Sequence, residues 1–185
     1  MTNDIIRDAA DHMDKSVKAL QHEFGTVRTG RASSAIFEKI NVDYYGTPTP
    51  ILQIAGVKTP EPQMLLIEPW DKSALGAIEK AIRASDLGLN PSNDGQVIRV
   101  PFPPLTEERR KELVKLCKHY AEEARVAVRN IRRDANQKLE RLSKDGEASE
   151  DDVRRAEADI QKRTDAHIGE IDEALKRKEA EIMEV

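Results

Sequence analysis

The chain has 185 residues, a formal net charge of −4, and a composition that is 35% charged, 38% hydrophobic and only 4% aromatic. That length holds one ordinary domain or two small ones, and the balance suits long amphipathic helices better than a thick globular core. With that net charge, non-specific attraction of the whole molecule to nucleic acid is not expected, and the bulk charge neither supports nor excludes an RNA partner. Any such binding needs a local basic patch, because screening at physiological salt acts over about 8 Å.

Residues 1–30 predict a helix. Ile6, Ala10, Met13, Val17, Leu20, Phe24 and Val27 alternate spacings of four and three, the seam of a helix packed lengthwise against others. Gly25 and Gly30 weaken its end. Asp4, Arg7 and Asp8 already stand in helical register, which argues against a signal or transit segment. No apolar run approaches the ~20 residues of a membrane span. A soluble cytoplasmic monomer is the expectation, with no membrane partner. The single cysteine, Cys117, rules out an internal disulfide and fits a reducing compartment.

Between Arg31 and Leu105 the periodicity is broken by all nine prolines of the chain. Ile40 to Tyr44 alternates like a half-buried strand, Met64 to Ile67 reads as a buried strand, and Gln96 to Val100 as a further one. Ala74 to Ala84, with Leu75, Ile78 and Ile82 on one side, reads as a helix. These 75 or so residues can fold as a small α/β domain.

Thr106 is a credible N-cap for a second helix, with Glu107 and Glu108 in its first turn. Its apolar line runs Leu113, Cys117, Tyr120, Ala124, Val128, Ile131, Ala135, Leu139, Leu142 and stops at Asp145-Gly146. Cys117 on this line reads as core. Ser149 caps a third helix with the line Val153, Ala156, Ile160, Ile168, Ile171, Leu175, Ile182. Helices this long need packing partners. The expected fold is therefore α+β: a long antiparallel three-helix bundle of residues 1–30 and 106–185, with a small α/β domain of residues 31–105 inserted in it. The two crossings, at Gly30-Arg31 and at Pro103-Pro104-Leu105, form a two-stranded hinge.

Charge is unevenly spread. Residues 106–146 hold twelve basic and eight acidic residues, whereas residues 147–185 hold seven and thirteen. Arg125, Arg129, Arg132 and Arg133 stand together with no acid between them. At about 100° per residue they share one arc, rotated from the apolar line, and so are expected to face solvent. The i,i+4 pairs among them cost a helix about 0.2–0.5 kcal/mol each. Segregation of this kind suits an anionic partner, and the planar guanidinium fork suits phosphate oxygens, so an RNA backbone leads. The competing explanation is a solvated face with salt bridges to Glu122 or to acids of the third helix.

Residues Gly25 to Ala32 come within two positions of a phosphate-binding loop, but Arg31 stands where lysine is needed and Ala32 where a magnesium-holding hydroxyl is needed. A nucleotide-dependent protein using that turn remains a rival, weakened by those two residues. His12, His22, His119 and His167 have no metal-ligand spacing, and surface positions are expected for them. The acidic run from Glu147 to Asp152 lacks the ligand alternation of a calcium loop. No catalytic constellation, metal site or cofactor is expected, and the chain reads as a non-enzyme.

Five stretches resemble the ribosome recycling factor family of bacteria: Arg28 to Ser33, Tyr44 to Pro50, Ala84 to Pro91, Arg99 through Arg110, and Ala124 to Asn136. They run in order along essentially the whole chain. One departure is Ser34, where the family commonly has proline. The resemblance implies a helical rod that binds large-subunit ribosomal RNA and a small domain swinging on a flexible hinge. It also implies a role after translation termination, in which elongation factor G hydrolyses GTP and the ribosome is split. Arg129, Arg132 and Arg133 are the contact positions it implies, with Arg28 and Arg31 as secondary ones. An interaction module without RNA contact, its arginines held in salt bridges, is the other rival.

Overall fold

A computed structural model describes residues 1–184. The chain separates into two compact units, Met1–Phe24 with Lys115–Glu179, and Gly25–Val114 with the residues from Ala180 onward.

The first unit is helical. It contains α1 (Thr2–Gly25) but for its last residue, most of the helix Glu107–Lys144 and most of the helix Glu150–Met183. The seam of α1 buries Ile6, Ala9, Met13, Val17, Leu20 and Phe24. Ala9, and not the expected Ala10, faces inward, because steps of three and four along a 3.6-residue turn allow either neighbour. Lys138 reaches Asp8 of α1 at 3.7 Å, while Ser16 and Leu20 share a groove with Tyr120 and Ala127. The first helix therefore runs antiparallel to Glu107–Lys144. Arg125 meets Asp172 and Arg132 meets Gln161, so Glu150–Met183 is antiparallel to it as well. The two outer helices consequently run parallel to each other.

Both predicted caps form. The Thr106 hydroxyl accepts from the Arg109 amide at 3.1 Å, and the Ser149 hydroxyl accepts from the Asp152 amide at 3.1 Å while donating to its carboxylate. Gly146, at φ 71°, ends Glu107–Lys144 with the Glu147 amide reaching back to the Leu142 carbonyl.

The last helix departs from its expected line. Ile168 and Leu175 are only half-buried, and Thr164, His167 and Ala174 fill the seam instead. The Thr164 hydroxyl donates to the Ile160 carbonyl. His167, expected at the surface, is 7% exposed. Its Nδ1 lies 2.6 Å from the Arg163 carbonyl and its Nε2 2.6 Å from Asp14 Oδ1. A buried imidazole needs such partners. Here the partner on α1 ties the two parallel helices together.

The second unit holds the strands β1 (Asn41–Tyr44), β2 (Thr47–Pro50), β3 (Ala55–Glu61) and β4 (Met64–Pro69), then α2 (Leu75–Ala84), β5 (Ser92–Asn93) and β6 (Ile98–Pro101). The two long helices already described are accordingly α3 (Glu107–Lys144) and α4 (Glu150–Met183). Four strands form an antiparallel sheet in the order β3-β4-β6-β5, and β1 pairs with β2 as a separate hairpin. The register sets Leu65 opposite Val100 and Ile67 opposite Ile98, four fully buried side chains on one face. Helix α2 brings Leu75, Ile78 and Ile82 into the same core.

Strands β2 and β3 were hidden by their prolines. In β2, Pro48 and Pro50 pair with Asp43 and Asn41, two places from each other, while Tyr44 and Thr47 close the turn. Alternation in an antiparallel ladder puts both prolines where an amide hydrogen would point away from the partner. The turn is Tyr45-Gly46, with φ values of 50° and 80°. Such a two-residue turn favours asparagine and glycine. Tyrosine is held there by its hydroxyl, which donates to Asp71 at 2.9 Å. Ser73 through its hydroxyl and amide, then Tyr45 and Tyr44, all donate to Asp71 and pull its carboxyl from 3.8 down to about 2. Beside it, Trp70 is 72% exposed and Tyr45 78%.

Among the described residues, no helix is long and apolar enough to cross a membrane.

Candidate nucleic-acid interface

The four arginines of α3 do not share one environment. Arg125 was expected to face solvent, yet its side chain is only 20% exposed. Its Nε and Nη2 donate to Asp172 Oδ1 at 2.9 and 2.7 Å, and its Nη1 donates to Glu122 at 3.1 Å. Burial alone lowers the affinity of this guanidinium for its proton. The Asp172 and Glu122 hydrogen bonds and charges outweigh that, leaving it above its ordinary value. Glu122 is held below its ordinary 4.5, first by the bond from Arg125. Arg125 thus makes salt bridges of the kind the competing explanation expects, to Glu122 and to an acid of the third helix.

Arg129 is intermediate. It donates to Glu122 at 3.3 Å and leaves 40% of its side chain exposed. Arg132 is half-buried and, among the described residues, bonds only a neutral group, Gln161 Oε1, at 3.2 Å, with no acid paired to its charge. Arg133 is exposed and has no hydrogen-bond or ion-pair partner among the described residues. Available positive charge thus rises along α3 from Arg125 to Arg133. The sequence concealed this gradient because Asp172 and Gln161, which create it, lie on a different helix 47 and 29 residues away.

The two secondary arginines lie in the other unit. Arg28 donates to the Pro103 carbonyl, and its guanidinium lies over the Phe102 ring, 5.6 Å from the centroid. Its Nε is buried without a hydrogen-bond partner among the described residues. Burial, and next the neighbouring Arg109 charge, pull Arg28 below its ordinary value. It is a structural tie more than an open contact. Arg31 is 76% exposed and meets Glu184 at 3.3 Å. Around it, the Ala32 amide donates to the Pro62 carbonyl and the Phe102 amide to the Gln63 carbonyl, both at 2.7 Å. Arg110 donates to the carbonyls of Leu105, Met183 and Glu184, satisfying the end of α4.

Of the expected hinge residues, Pro103 and Pro104 are exposed and Leu105 is buried. Gly30 has space for a Cβ and is not left-handed, so its backbone geometry does not itself require glycine. Cys117 is fully buried, and burial pushes its thiol up to about 11, as befits a core residue.

The structure therefore presents a helix face of graded, partly unpaired guanidinium groups, of the planar shape that suits carboxylate and phosphate oxygens. The ribosome recycling factor family model matches residues 20–183, and the chain belongs to that family. It is 57% identical to the ribosome-recycling factor of a Geobacillus species and 56% identical to that of Bacillus cytotoxicus, each over 185 residues and the full length of both chains. A solution structure of the ribosome recycling factor matches with a TM-score of 0.77 at 47% identity, covering 100% of this chain and 98% of the other. A second match is described as models for the T. thermophilus ribosome recycling factor and the E. coli elongation factor G bound to the E. coli post-termination complex. It has a TM-score of 0.69 at 49% identity and covers both chains fully.

Proposed function

We propose that this chain acts after translation termination in the cytoplasm, as a monomer. It binds the post-termination ribosome and, with elongation factor G and GTP hydrolysis by that partner, splits it into subunits and frees messenger RNA and tRNA. The observation that carries this reading is identity of 56–57% from end to end with ribosome-recycling factors. The chain itself needs no nucleotide, metal or cofactor.

In this reading residues 1–30 and 106–185 bind large-subunit ribosomal RNA, and residues 31–105 are the part that moves. The graded face of α3 supports an anionic partner, with Arg132 and Arg133 leading, Arg129 assisting and Arg125 holding the helices in place. Arg31 is a secondary contact, and Arg28 acts through its tie to Pro103. Gly30, Arg31, Pro103, Pro104 and Leu105 form the hinge.

The test is a subunit-splitting assay with purified post-termination complexes, elongation factor G and GTP. Addition of this chain is expected to accelerate splitting, and a crosslink between residues 30 and 104 is expected to spare ribosome binding while abolishing it. Undiminished splitting by the crosslinked protein would remove the hinge from the mechanism. No splitting by the unmodified protein would overturn the function.

A further inference from the structure

Arg133 stands in a stripe whose other members the charge pattern does not bring out. At about 100° per residue, Val126, Asn130, Arg133 and Gln137 fall within roughly 60° of one another, on the side of α3 away from its buried line. They span about 16 Å at 1.5 Å per residue. Val126 is 45% exposed, an apolar side chain left in solvent. Asn130 and Gln137 are exposed, and neither amide has a partner among the described residues. The ends of the stripe are closed by acids already engaged, Glu122 with Arg125 and Glu140 with Lys144 at 2.9 Å.

A surface made only to hold phosphates gains little from two neutral amides and a valine. An amide both donates and accepts, which matches a ribose 2′-hydroxyl or a base edge, and a valine methyl packs against a sugar. Double-helical RNA offers that combination in its wide, shallow minor groove, flanked by phosphates. We propose that this stripe lies in an RNA minor groove, with Asn130 and Gln137 reading 2′-hydroxyls or base edges, Val126 packing on a ribose and Arg133 pairing with a flanking phosphate. The inference rests on the RNA-binding reading above and assigns residues to it that carry no charge.

The experiment measures binding of the full chain to purified large ribosomal subunits across a salt series, with 2′-hydroxyl reactivity of the subunit RNA probed at saturating protein. The double variant Asn130→Ala with Gln137→Ala is expected to bind about tenfold more weakly with an unchanged salt slope, because no phosphate contact is lost. It should also release a few 2′-hydroxyls that the unmodified chain protects. Arg133→Ala should bind more weakly with a slope smaller by about one. Unmodified binding by the amide variant, with Arg133→Ala weakened, overturns this inference alone. A reduced salt slope in the amide variant also overturns it. Unmodified binding by both variants and by Arg132→Glu overturns the RNA-binding reading as well.

Discussion

The two ends of the arginine cluster on α3 carry the same residue and do different work. At Arg125 three donor nitrogens are taken up by Asp172 and Glu122, and the charge is spent inside the bundle. Two turns on, Arg133 is exposed and has no hydrogen-bond or ion-pair partner among the described residues. A run of like charges is therefore a poor guide to a binding face until the opposing helix is known. Proximity in sequence put the four together, and α4 separates them again.

The largest effect that can break this comparison comes from charge reversal at the open end. Arg132→Glu with Arg133→Glu is expected to weaken binding to large ribosomal subunits by roughly 100-fold at moderate salt, with helicity by circular dichroism unchanged. Unaltered binding would mean that the gradient is irrelevant to function. Next, Arg125→Ala should cost about 1 kcal/mol in chemical denaturation while changing subunit binding less than about twofold. The reverse pattern would return Arg125 to the interface. His167→Ala, which removes the tie to Asp14, should destabilise by about 1–3 kcal/mol and also leave binding nearly intact.

Acid sharpens the contrast further. Glu122 is held below its ordinary 4.5, so its contribution is fully present above that pH and is lost as the pH falls through the lowered value. Thermal melts of the unmodified chain and of Arg125→Ala should thus differ at pH 7 and converge in strong acid. The smallest effect is at the hinge. Gly30 has room for a Cβ, so Gly30→Ala is expected to leave stability unchanged or raise it by about 0.4–1 kcal/mol. A slower splitting rate in that variant would show that glycine serves motion there.

What could be read from the sequence follows the same division between local and distant causes. Helix seams and caps are local: Met13, Val17 and Leu20 repeat at the helical period, and Thr106 and Ser149 carry their own acceptors to the adjacent amides. The seam of α4 takes in Thr164 and His167, which apolar periodicity does not mark: Thr164 is satisfied by the Ile160 carbonyl of its own helix, and His167 by Asp14 supplied from α1. Strand β2, the sequence Thr47-Pro48-Thr49-Pro50, has a proline at every second position, which argues against a strand. It pairs only because both prolines fall on the non-bonded positions of the ladder. At the candidate site, the residue types and their crowding on α3 were legible, but their accessibility was not, since Asp172, Glu122 and Gln161 decide it.

Trp70, the chain's single tryptophan, stands 72% exposed in the second unit, and the first unit has none. The native protein is in effect labelled at one place. In the isolated protein its tryptophan emission reports on the second unit alone, so a melt followed by that emission, set beside one followed by helicity, would resolve the loss of that unit without any attached dye.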